Sequence, residues 1–188
     1  MRSPQQPFPE PFATTDTSDL LQEAFGIVQG ETMSLSDDQI PAAFMDKPEM
    51  LSVWSVWICT GSINNGGICS GIVDAAFTLK PAADWFLAHG EPEIAELLEQ
   101  SLVLFFGDGP IPISVDERND IVSDSDDVEP DPAIDKKIDT LDEALIARFG
   151  DDEPFWRVLA WQVLDHPEQF LPEVLERAVR RNEAAGED

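Results

Sequence analysis

Basic residues are scarce in this sequence. Its 188 residues include 11 Lys and Arg against 38 Asp and Glu, which gives a formal net charge of −27. A protein that binds DNA or RNA needs Lys and Arg to displace the counterions condensed around the phosphates, and attraction to anionic lipids needs the same positive charge. The composition therefore excludes direct nucleic-acid binding and electrostatic binding to membranes.

The sequence also lacks a long apolar run. The longest such stretch, Leu51 to Cys59, is interrupted by serines and is far shorter than the roughly 20 residues that span a bilayer. The first residues, MRSPQQPFPEPF, contain no apolar centre of the kind found in secretory signal peptides. We therefore expect a cytoplasmic protein.

Few side chains suited to nucleophilic, redox or metal chemistry are present. The two cysteines, Cys59 and Cys69, are too few for a disulfide framework, and we expect reduced, buried thiols. The two histidines, His89 and His166, both stand at predicted helix ends, and neither has a second His or a Cys at metal-ligand spacing. No phosphate-binding loop, dinucleotide-binding motif or metalloprotease motif occurs. The sequence therefore predicts a protein that is not an enzyme and uses no cofactor.

A calcium-binding loop is suggested at Asp124 but fails on closer reading. The run from Asp124 begins like an EF-hand loop, yet Val128 stands where a ligand is required and Glu129 where glycine is required. The twelfth position would be Asp135 instead of Glu. We therefore expect no specific metal site.

Apolar residues make up 43% of the chain, enough to build the core of one domain. They recur at spacings of three and four, and only Ile111–Val115 suggests a short strand. The fold class predicted is all-α: a single domain of roughly seven or eight helices at 19–182, after a Pro-rich extended or disordered arm at 1–18 and before a disordered tail at 183–188. The five tryptophans are expected in its core. The predicted helices start near Asp19, Pro48, Ile68, Pro81, Pro92, Thr140, Pro154 and Glu168.

The sequence also predicts where several of these helices begin or end and which residues the last one buries. The first helix is expected to run from about Asp19 to Val28, where Gly26 and Gly30 weaken or end it. Asn64-Asn65-Gly66-Gly67 is expected to end the second helix with a tight turn. Thr140-x-x-Glu143 resembles a capping box. The last helix is expected to run from Glu168 to about Arg181. Its predicted buried residues are Leu171, Val174, Leu175 and Ala178.

Residues 108–153 differ in charge from the rest of the chain, with sixteen acids, four bases and a net charge of −12 out of −27. The part from Asp124 to Pro132 is predicted to be an acidic loop. Asp135, Asp139 and Asp142 follow a spacing that places them on one exposed face of a helix. We predict that this segment supplies the partner-binding carboxylates: Asp116, Glu117, Asp120, Asp124, Asp126, Asp127, Glu129, Asp131, Asp135, Asp139, Asp142 and Glu143.

Three explanations compete for the excess of acid. The first is a solvated acidic surface adapted to a salty cytoplasm. The scarcity of lysine, with only four Lys among the eleven bases, and the excess of Asp (21) over Glu (17) agree with this explanation. The second is mimicry of DNA, in which carboxylates replace phosphates in the basic groove of a DNA-binding protein. The third is an immunity-type inhibitor of another basic protein, such as a toxin. Unpaired like charges cost stability, which favours a functional reason for residues 108–153.

Several motifs resemble the domain family of DNA-mimic protein 19 over about residues 48–165. They are Ile63-Asn64-Asn65-Gly66-Gly67 after a Trp-bearing helix, the run from Asp84 to Gly90, the Ile94–Phe105 helix, Glu117-Arg118, and Leu141-Asp142-Glu143 before Phe149. The chain departs from the family pattern at 68–73, where an aromatic, Gln and further aromatics usually follow the glycines. The resemblance implies a compact α-helical domain that occupies a basic DNA-binding protein, such as a helix-turn-helix regulator, in place of its DNA. It also leaves open a homodimer.

Overall fold

A computed structural model describes residues 6–9, 12–127, 132–150 and 154–171 and the single positions 177 and 180, with the backbone alone for 124–127. These residues form helices joined by turns, and the described part of the chain contains no strand. The all-α prediction is therefore confirmed. The helices are α1 (Thr17–Thr32), α2 (Ile40–Ala43), α3 (Pro48–Ala88), α4 (Pro92–Phe106), α5 (Val115–Asp127), α6 (Pro132–Ile146) and α7 (Pro154–Asp165), with a 3₁₀ turn at Asp37–Gln39.

Helix α3 is interrupted twice along its length. Gly66 and Gly67 leave the helical conformation, and Gly67 has a φ of +70°; Ala75 leaves it again with a φ of −132°. The run therefore consists of three helical segments, 48–65, 68–74 and 76–88. The predicted break at the Asn-Gly-Gly turn is confirmed. The third segment begins at residue 76, directly after the break at Ala75, so Pro81 lies inside it and does not start it as predicted.

The core is built around α3, which contacts α1, α2, α4, α5, α6 and α7. Trp54, Trp85 and Trp161 are at most 5% exposed, and Trp57 and Trp156 pack partly buried against the same cluster. The tryptophans are therefore core residues, as predicted. Burial of these large side chains adds to the hydrophobic free energy that offsets the repulsion between the many like charges.

The N-terminal segment packs against helix α7 through Phe8. Phe8 is buried and meets Trp161 edge-on, with 5.2 Å between ring centroids. The Arg157 guanidinium lies 4.0 Å above the Phe8 ring. Helix α1 begins at Thr17, where the Asp16 carboxylate accepts a 2.7 Å hydrogen bond from the Ser18 N–H. These contacts lie inside the segment that the sequence assigns to the arm.

Two local predictions are wrong. Helix α1 passes through Gly26 and Gly30, because both glycines face open space and the helix is held by buried residues such as Leu20 and Val28. The stretch that begins at Ile111 is irregular and leads directly into α5, so the predicted strand does not form.

Three predicted boundaries also move. Helix α6 begins at Pro132, so Thr140 is inside it and its hydroxyl donates to the Lys136 carbonyl at 2.7 Å instead of capping an end. Helix α5 continues to Asp127, so the predicted acidic loop begins as helix; residues 128–131 lie outside the described part of the chain. Residues 166–170 form turns and Leu171 is 60% exposed, so the last predicted helix does not start at 168. Val174, Leu175 and Ala178 lie outside the described residues.

Candidate acidic interface

The N-terminal end of the short α3 segment 68–74 is held by a carboxylate from α6. Asp142 accepts a hydrogen bond from the Ile68 N–H, 74 positions away in the sequence. Gly67 makes this approach possible, since a Cβ there would lie 2.6 Å from Asp142 Oδ2 and its φ of +70° is the left-handed conformation that glycine adopts most readily. A carboxylate at a helix N-terminus also interacts favourably with the helix dipole. Asp142 therefore caps the segment from outside the helix.

The C-terminal end of the same segment is held by a guanidinium from α5. Arg118 is 1% exposed, and its Nε donates to the Val73 carbonyl at 2.8 Å. Its other described hydrogen bonds go to the Pro112 and Ile113 carbonyls at 2.8 and 2.9 Å. The break at Ala75 ends this short helix two residues after Val73. Segment 68–74 thus has an anion at its positive end and a cation at its negative end.

Helix α5 presents carboxylates to solvent and keeps its base inside. Asp116, Glu117 and Asp120 are exposed. Arg118 is the only base between Val115 and Asp127, and it is buried. The outward side of α5 therefore has no cation of its own to offset its acids.

Helix α6 carries the second group of predicted carboxylates. Asp139 and Glu143 are exposed and Asp135 is partly exposed. Asp142 differs from the prediction, because it turns toward the Ile68 N–H and is partly buried. Burial raises the pKa of the Asp142 carboxyl; the hydrogen bond from Ile68 acts in the opposite direction, and the charge of Asp139 adds to the rise. Asp142 is therefore not part of an exposed stripe with Asp135 and Asp139, as was predicted.

The two helices differ in how strongly acidic they are. Helix α6 also carries exposed Lys136 and Lys137, which offset part of its negative charge. Of the remaining predicted contact residues, the side chains of Asp124, Asp126, Asp127, Glu129 and Asp131 lie outside the described part of the structure. We define the acidic surface as the exposed carboxylates Asp116, Glu117, Asp120, Asp139 and Glu143.

Acids on α4 have a different environment. Glu93 pairs with Arg148 at 2.8 Å, and Glu99 pairs with Lys80 at 2.9 Å. Arg148 also reaches Glu91 at 2.7 Å, and Lys80 also reaches Asp84 at 2.7 Å. Two bases from neighbouring elements, Arg148 and Lys80, therefore offset part of the negative charge on the α4 face. This contrast distinguishes α5 from a generally acidic exterior.

The thiols and imidazoles have structural environments. Cys59 is fully buried, as predicted, and burial raises the pKa of its thiol. Cys69 is only partly buried, so the prediction of a buried thiol is wrong there, and neither cysteine forms a disulfide. The His89 ring stacks on Trp85 and its Nδ1 lies 2.7 Å from the Trp85 carbonyl oxygen at the end of α3. His166 follows the end of α7 and lies 3.4 Å from Glu49. Among the described residues, no group of three or more His, Cys, Asp or Glu is arranged to hold a metal ion.

The roles of Arg118 and Asp142 were not predicted from the sequence. One signal was available for Arg118: it lies three and four positions before Ile121 and Val122, which places it on the inward face of α5. Val122 packs against the core, as that spacing predicts. No local pattern indicates that Asp142 bonds Ile68. The Asn-Gly-Gly turn, whose role the sequence leaves open, provides at Gly67 the space that this carboxylate occupies.

Comparisons with family models, with curated proteins and with solved structures give no match to this chain. No helix in the described ranges is long and apolar enough to cross a membrane.

Proposed function

We propose that the chain binds a basic surface of a DNA-binding protein through the acidic surface and blocks that protein's access to DNA. The observation that carries the proposal is the burial of Arg118, which leaves α5 with exposed carboxylates and no exposed cation of its own. A helix with that charge pattern attracts a cationic partner and steers its approach.

The support of α5 and α6 by one short segment favours recognition over unspecific attraction. Both helices pack on α3, and their anchors Arg118 and Asp142 hold the two ends of segment 68–74. Carboxylates on anchored helices lose less conformational freedom on binding than carboxylates on a loose chain. A partner therefore meets charges that are already in place.

A DNA-binding protein is the class of partner that this surface suits best. Such proteins expose Lys and Arg in rows that contact successive phosphates. The exposed carboxylates on α5 and α6 carry negative charge, as those phosphates do. The resemblance to the DNA-mimic family, carried by the Asn-Gly-Gly, Glu117-Arg118 and Leu141-Asp142-Glu143 motifs, implies the same role.

Competition with DNA tests the proposal. The purified chain, immobilised, is used to capture proteins from host lysate at low salt, and each captured protein is then loaded with a labelled DNA duplex. We expect the chain to release the duplex competitively, with an affinity that falls steeply as salt rises. A complex that holds the chain and the duplex together, or capture only of proteins that do not bind DNA, would contradict the proposal.

The alternative of a salt-adapted exterior makes a different prediction for the same protein. Acids spread over a halophilic surface repel one another until salt screens them, so stability would rise steadily into molar salt. The paired acids on α4 favour the proposed function over this alternative. We expect cooperative folding in buffer without added salt, measured by circular dichroism and thermal unfolding.

A further inference from the structure

The two breaks in α3 divide it so that one short segment touches both acidic helices. Segment 68–74 is bounded by Gly67 on one side and Ala75 on the other. Ile68 and Val73 are five residues apart, which is about 7.5 Å along a helix axis. Asp142 from α6 binds at the first of these residues and Arg118 from α5 at the second.

We propose that Asp142 and Arg118 are positioning residues, which fix α5 and α6 at opposite ends of segment 68–74 and so set the spacing of the acidic surface. The role in partner recognition rests on the proposed function, whereas the positioning itself does not. Asp142 acts through the Ile68 N–H and does not contribute a partner-facing charge. Its burial and its direction both separate it from the exposed Asp139 on the same helix.

The geometry at each end explains why these residue types are needed. At Gly67 the space next to the backbone is filled by the Asp142 carboxylate, so a bulkier residue at either position would push α6 away. The planar guanidinium of Arg118 donates from Nε to the Val73 carbonyl on α3 and from Nη1 to the Pro112 and Ile113 carbonyls that precede α5. Lysine offers a single nitrogen at the end of a flexible stem.

A distance measurement in the free protein tests the positioning. Spin labels are placed at Asn119→Cys on α5 and Thr140→Cys on α6, both exposed and uncharged, in a Cys69→Ala background; the fully buried Cys59 stays in place. Pulsed electron resonance then gives the distribution of label distances. We expect one narrow distribution for the reference chain.

Matched substitutions separate the acceptor oxygen of Asp142 from its charge. Asp142→Asn keeps an oxygen for the Ile68 N–H, and we expect an unchanged distribution. Asp142→Ala removes the oxygen, and we expect a distribution broader by about one helical turn, roughly 5 Å. Asp139→Asn and Asp139→Ala are the controls and should both leave it narrow. Arg118→Lys should broaden it as Asp142→Ala does.

Two binding measurements complete the test. The four variants at 139 and 142 each remove one charge, so their affinities for a nona-arginine peptide should agree within about twofold. The captured DNA-binding protein should bind Asp142→Ala about fivefold more weakly than Asp142→Asn. A narrow distribution for Asp142→Ala, or equal broadening for Asp142→Asn, would overturn the positioning role. Failure to capture any DNA-binding protein would count against the proposed function alone, since the distances are measured without a partner.

Discussion

Replacing Arg118 by methionine is expected to destabilise the fold by about 3 kcal/mol. Methionine keeps most of the apolar stem but donates no hydrogen bond, so the Val73, Pro112 and Ile113 carbonyls lose donors at 2.8 to 2.9 Å. An unpaired buried carbonyl costs roughly 1–3 kcal/mol. All three hydrogen bonds are partly buried, so we assign about 1 kcal/mol to each carbonyl, which sums to about 3 kcal/mol.

Thermal and urea unfolding measure this loss. For a chain of this length, about 3 kcal/mol lowers Tm by roughly 6–12 °C, and the urea midpoint should fall with an unchanged m value. Lys136→Met is the matched control, because it removes the same charge from an exposed position on α6 and should change stability by less than about 0.5 kcal/mol. An Arg118→Met chain as stable as this control would refute the view that the buried guanidinium holds α5 to α3.

Three further outcomes follow from the same geometry. Gly67→Ala should lower the free energy of unfolding in urea by about 2 kcal/mol, because φ at Gly67 is positive and a Cβ would meet Asp142. Gly61 faces open space inside a helix, so Gly61→Ala should be neutral or slightly stabilising. Equal effects of the two substitutions would contradict the strain assigned to Gly67. Burial raises the pKa of Asp142 in the folded state, so the stability that the protonated carboxyl contributes is fully present below the pKa of the unfolded chain and is lost as pH rises through the folded pKa. Asp142→Asn should therefore be more stable than wild type at pH 7, and the difference in unfolding free energy should shrink as pH falls toward 4. A difference that grows on acidification would contradict a raised pKa. A thiol reagent should label Cys69 in the native protein and Cys59 only after unfolding, and rapid labelling of both would mean that Cys59 is accessible.

The helices that the sequence predicts well are those with a strong local pattern. Helix α4 has apolar residues at steps of three and four between Pro92 and Gly107, so its bounds and buried face agree with the structure. The break at Gly66–Gly67 was also predictable, because two successive glycines after two asparagines favour a helix end. In both cases the deciding information lies within a few residues of the chain.

The predictions that failed depend on contacts between distant residues. Gly26 and Gly30 do not end α1, because burial of its apolar face offsets the cost of two exposed glycines. Thr140 has the sequence of a helix cap but lies inside a helix that starts eight residues earlier.

The candidate site was predicted in part. Asp116, Glu117 and Asp120 were predicted as partner-binding carboxylates and are exposed, but the helix that carries them, α5, was not predicted. Asp142 and Arg118 turn inward instead, because each bonds a main-chain group close to a break in α3. The position of such a group in space follows from the assembled fold and not from the spacing of charges.

The central claim is that the acidic surface, mainly through its carboxylates on α5, recognises the basic partner, and that negative charge elsewhere does not. The most direct test compares two triple variants that remove three charges each: Asp116→Asn, Glu117→Gln and Asp120→Asn on α5, against Asp37→Asn, Asp46→Asn and Asp108→Asn at exposed positions elsewhere. Binding to the captured DNA-binding protein is measured by calorimetry at fixed salt, and the Tm of each variant is measured to verify folding. We predict that the α5 variant binds at least about tenfold more weakly and the control within about twofold of wild type. Equal losses in the two variants would contradict the claim and would mean that only total charge matters.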